Sequence, residues 1–134
     1  MAAHHDALIY TMVLVSAADR EMTDAELRTI GEIVRFLPVF RGFDDKSIPQ
    51  VAGACAGMLS DEDGLEQAFA FIRDNLPERL RETAYAIACD IAAADGRAVQ
   101  EELRLLELLR HALNLDRLIA AGIERGARAR HMTG

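Results

Sequence analysis

Two short stretches, 76 residues apart, hold the carboxylates best placed to do chemistry. Ala17-Ala18-Asp19 pairs with Ala93-Ala94-Asp95, and Glu26-Leu27-Arg28 with Glu102-Leu103-Arg104, so six identities fall within twelve aligned positions. In each copy an apolar segment ends at an Asp, a turn follows, and a Glu stands seven residues on, in the first turn of an amphipathic segment. Two carboxylates therefore belong to each turn. Oxygen ligands of this kind, joined by Glu21 in the first copy and with no His or Cys nearby, select Ca²⁺ or Mg²⁺ over zinc or copper. The loop of an EF-hand is excluded, because Gly96, Arg97, Ala98 and Val99 follow Asp95 and the Glu comes too early.

Local structure offers a second account of the same residues. Thr23-Asp24-Ala25-Glu26 has the spacing of a capping box, and Asp-Gly is ordinary turn chemistry. In the second copy, however, Val99 stands where Thr23 stood and cannot cap, yet Glu102 is still present. Asp19 and Asp95 also fall at the carbonyl ends of their helices, where the macrodipole disfavours an anion by about 0.3–1 kcal/mol. A divalent cation would offset that cost by taking carboxylate and helix carbonyl oxygens together. On the residues alone the caps and the cation both stay open.

The elements that must position these groups are helices. Residues 8–18 are apolar nearly all round, the mark of a helix buried in the middle of a protein. Leu27, Ile30, Ile33, Val34 and Leu37 lie on one helical face until Pro38 stops it. The 76-residue shift carries Leu27, Ile30, Ile33 and Leu37 onto Leu103, Leu106, Leu109 and Leu113, which predicts that the core-facing stripe of the second helix recurs in the sixth. Further helices are expected over about 47–59, from an opening at Ser60-Asp61-Glu62-Asp63, from Pro77-Glu78 through the apolar run 84–94, over 100–113 and over 115–128. No alternating run with hairpin turns appears, so the fold is read as all-α: a compact bundle of about seven helices with two pseudo-repeated helical hairpins.

Composition narrows the function. A chain of 134 residues fits one domain over 1–134, with the ends at about 1–5 and 127–134 expected to be flexible and the basic run 125–131 a frayed, solvated tail. Fifteen basic against twenty-two acidic residues leave a charge of −7, which speaks against nucleic acid as a partner. The longest nearly apolar stretch, 8–18, is about half a membrane span and no basic leader precedes it, so a cytoplasmic protein without direct membrane insertion is expected. Cys55 and Cys89 have no metal or redox spacing and are expected in the core. His4, His5 and His131 fall near the ends and His111 on an amphipathic helix, so all four are expected to be solvated, not catalytic.

The motif Ala-Asp-Gly-x5-Glu-Leu after an apolar helix, present as residues 18–27 and 94–103, resembles that of the TerB family of tellurite-resistance proteins. It is also similar to the related N-terminal domain of membrane-anchored DnaJ-like co-chaperones. The resemblance covers about residues 5–125 and implies a bundle of about seven helices, a bacterial stress-response or metal-resistance role, and a divalent cation held at Asp19, Glu26, Asp95 and Glu102. Arg20 replaces the Gly that the first motif usually has, which makes the second site the better formed of the two. Paired thiols and nucleotide or flavin motifs are missing, so the chain is not expected to reduce tellurite itself, and no enzymatic activity is expected. The leading expectation is a non-enzymatic, cation-binding interaction module that works with other proteins of a stress-resistance assembly, with a homo-oligomer also possible. The alternative is a purely structural helical scaffold in which the acidic turns are only caps, and a small metal-dependent hydrolase ranks below both.

Overall fold

The computed structural model describes residues 3–17, 23–94 and 100–134. Seven α-helices and no strand occur among them: α1 (Ala3–Ser16), α2 (Asp24–Phe36), α3 (Ile48–Leu59), α4 (Gly64–Asn75), α5 (Arg81–Ala94), α6 (Gln100–Ala112) and α7 (Arg117–Arg130). The all-α reading therefore holds. Short 3-10 turns at Pro38–Phe40, Asp45–Ser47 and Glu78–Leu80 join or lead into them. The last of these corrects the start of the fifth helix, since Pro77 opens a 3-10 turn and regular α-helix begins only at Arg81.

Because α1 is apolar on all sides, it can satisfy its surface only by being surrounded. Every residue from Ala7 to Ser16 is buried, and α3, α4, α5 and α6 pack around it, while α2 touches it less than these. Tyr10 stacks on Phe71 of α4 with ring centroids 4.4 Å apart. The second apolar helix, α5, is packed by α1, α6 and α7. Cys55 and Cys89 lie in the core, where burial pushes each thiol up to about 12 and removes thiolate reactivity at neutral pH.

The direction of α7 follows from three contacts. Arg81 donates to the Leu113 carbonyl (3.4 Å), Tyr85 donates its hydroxyl to Glu124 (2.5 Å), and Arg130 donates to Asp90 (2.7 Å). Partners advance together along both chains, so α7 runs parallel to α5. Its N-terminus is capped by Asp116, which accepts from the amides of Leu118 and Ile119.

Three sequence expectations need correction here. Of the four residues that sliding the chain against itself places on the core face, Leu106, Leu109 and Leu113 are buried, whereas Leu103 is 48% exposed and its neighbours Glu102 and Leu105 are buried. The basic run 125–131 is not frayed: it is helical through Arg130, Ala127 is buried, and Asp90 takes both Arg130 and, at 3.5 Å, His131. His5 is not solvated either. It is buried inside the first turns of α1, where its Nε2 lies 2.9 Å from the Val39 carbonyl and its ring packs on Phe40 and Phe43.

Candidate functional site

The two turns begin where α1 and α5 end, and the four predicted ligands divide between what the structure describes and what lies beyond. Asp19 and Asp95 lie outside the described residues, as do Arg20, Glu21 and Gly96. Glu26 and Glu102 stand in the first turns of α2 and α6, and their surroundings differ.

Glu26 completes the capping box that its spacing predicts. Its backbone N–H donates to the Thr23 hydroxyl at 3.2 Å, while its Oε1 accepts from the Thr23 backbone N–H at 2.9 Å and from the Thr23 hydroxyl at 3.0 Å. These bonds satisfy two of the amides that a helix start leaves without intrahelical partners. The cap reading of the first copy is thus realised, and this carboxylate has a structural role whatever else it does.

Glu102 has no such box, because Val99 offers no hydroxyl. It is only 6% exposed and lies on the same stripe as Leu105, Leu106 and Leu109, the face by which α6 meets the core. Burying a carboxylate costs several kcal/mol unless charge or hydrogen bonds compensate, and Glu102 is not without a partner. Glu at 102 is therefore a placement that packing alone does not explain.

The end of α1 contributes a group that sequence reasoning passed over. Ser16 is buried, and its Oγ has no hydrogen-bond partner, a state that costs about 1–3 kcal/mol. It stands three residues before Asp19. The legible signal was a hydroxyl in an otherwise apolar helix. The orphaned hydroxyl near the first motif and the buried carboxylate of the second are both oxygen groups, the ligand type that a hard cation takes. Among the described residues no group of three or more His, Cys, Asp or Glu side chains is close enough to hold a metal by itself.

The family model described as "Tellurite resistance protein TerB" matches residues 5–122, nearly the whole chain. No curated protein and no solved structure matches significantly. No helix among the described residues is long and apolar enough to cross a membrane.

Proposed function

As the chain belongs to the TerB family of tellurite-resistance proteins, we propose that it is a non-enzymatic module in which a divalent cation, Ca²⁺ or Mg²⁺, is held by the carboxylates of the two motifs and tunes its association with other proteins of a stress-resistance assembly in the cytoplasm. The observation that carries the reading is the burial of Glu102 on the core face of α6. Asp95 and Glu102 would hold the cation at the second turn, and Asp19 with Glu26 at the first. When bound, the ion supplies charge compensation for carboxylates and for carbonyls left at a helix end. Of the chain's own residues, the core packing of Leu105, Leu106 and Leu109 would hold Glu102 in place, and Asp95, which follows α5 in the sequence, would join it.

The capped-scaffold reading is supported by the box at Thr23 and Glu26. Charge-neutralising substitutions separate the two. Asp95→Asn and Glu102→Gln keep shape and most hydrogen-bonding capacity, so a purely structural role predicts that each variant tracks wild type at every metal level. A cation role predicts a change of sign. In chelator, neutralising one carboxylate of a repelling pair leaves stability unchanged or higher. With metal at about a hundred times its dissociation constant, wild type gains about 2.7 kcal/mol by linkage, and the variants lose most of that gain. Thermal melts in chelator and in millimolar Ca²⁺ or Mg²⁺ should therefore invert in order. Parallel melts under both conditions would leave the scaffold reading standing.

A further inference from the structure

One face of α5, formed by Tyr85, Cys89, Ala92 and Ala93, is the floor of a groove whose walls are α6 and α7. Both walls pack on α5 but make little contact with each other. Each presents one helical stripe to the groove. The α6 wall has Leu103, Leu106, Glu107 and Arg110, spaced by three and four, and the α7 wall has Arg117, Ala121, Arg125 and Arg128, spaced by four, four and three. The volume is about 1040 Å³, slightly above the range of small-molecule pockets, roughly 300–1,000 Å³, and the groove is open to solvent. From Tyr85 to Ala93 the floor is about 12 Å long at 1.5 Å per residue, room for two turns of a docked helix.

Two features of this groove bear on what it could bind. Two of its large apolar residues are exposed, Leu103 by 48% and, at the same end, Met132 by 71%. Its charge also runs against that of the chain. Arg110, Arg117, Arg125 and Arg128 face Glu107 and Glu124, a surplus of two positive charges on a protein of net charge −7. Both carboxylates are already engaged, Glu124 by the Tyr85 hydroxyl and Glu107 by Arg104 at 3.7 Å. Among the described residues Arg117, Arg125 and Arg128 form no ion pair.

We propose that this groove docks an acidic amphipathic helix of a partner protein. The alanines at 92, 93, 120 and 121 keep the floor and one wall low, which lets a helix approach to the 8–10 Å axis separation usual for packed helices. The partner's aliphatic stripe covers Leu103, Leu106 and Met132, and its carboxylates meet the arginines of α7, the helix-in-groove mode of recognition with charge setting its direction. Among the described residues neither Glu26 nor Glu102 lines the groove, and the test below needs no metal, so the proposal is tested independently of the cation reading.

The test uses the full chain, ¹⁵N-labelled, and two synthetic peptides of about 14 residues, near the shortest length at which an isolated helix persists. Both have leucines at helical i, i+3 and i+4 spacing, and they differ in carrying Glu or Lys on the flanks. The Glu peptide should shift the amides of Leu103, Leu106, Ala121 and Arg125, bind at least about tenfold more tightly than the Lys peptide, and weaken with salt. The exposed double substitution Arg125→Glu/Arg128→Glu, checked by its melting curve to be folded, should reverse the preference. Four results would overturn the proposal: equal or absent binding of the two peptides, shifts confined to another face, sedimentation showing that a second copy of the chain covers the groove, or tighter binding to phosphatidylglycerol vesicles than to the Glu peptide.

Discussion

His5 shows how one buried polar side chain can tie stability to pH. Burial is the main influence on it and lowers its pKa below the ordinary value of 6.5; the Val39 carbonyl pulls the other way, and the neighbouring charge of His4 adds to the lowering. The folded state therefore prefers the neutral ring. Its contribution is complete above the unfolded value of 6.5 and is lost as pH falls through that value towards the folded one. An NMR titration of the imidazole should give a midpoint below 6.5, and a midpoint at or above it would mean that the Val39 carbonyl outweighs burial. At the same scale Glu26 and Glu102 part company. The same residue type at equivalent places in two motifs accepts from Thr23 in a capping box in one copy and is buried on the core face in the other.

At the scale of elements, the meeting of α3 and α4 depends on a glycine. A Cβ at Gly64 would stand 2.3 Å from the Met58 carbonyl oxygen and 2.7 Å from the Leu59 Cα, both main-chain atoms that cannot swing aside. Gly64→Ala should destabilise by about 1–3 kcal/mol, the usual cost of overpacking. Gly53, within α3, has nothing within 4 Å of the same added atom, so Gly53→Ala should stabilise by roughly 0.5–1 kcal/mol through helix propensity and a less flexible unfolded chain. Urea denaturation of both variants checks the pair, and equal shifts would mean that helix ends, not backbone proximity, govern the junction. The fastening of α7 belongs here too. Tyr85 and Asp90 lie five residues apart on α5 and hold Glu124 and Arg130, so a basic segment that its composition marks as a loose end is drawn into the bundle.

For the whole molecule, the centre is set by two apolar helices. Val13 is 1% exposed on α1 and Ile91 is buried on α5. Val13→Asp or Ile91→Asp places a charge there with no evident partner and should cost more than about 3 kcal/mol, a large part of the 5–15 kcal/mol that holds a domain together. Melting temperatures should fall by at least about 10 °C, or the variants should fail to fold, and soluble variants melting like wild type would show a different core. Helix number and most helix limits were legible in the sequence, because apolar periodicity, caps and prolines are local signals: α2, α3 and α6 begin within a residue of where those signals place them. The two central helices were legible for the same reason, since a helix apolar on every face can only be surrounded. Tertiary structure alone decided that Glu102 and not Leu103 faces inward at the start of α6, where His5 and the C-terminal arginines go, and that α6 and α7 leave a cationic groove between them. Those outcomes depend on how helices rotate and cross when they pack, which turns Glu102 inward and leaves Leu103 exposed while Leu106 and Leu109 stay buried as their spacing predicts.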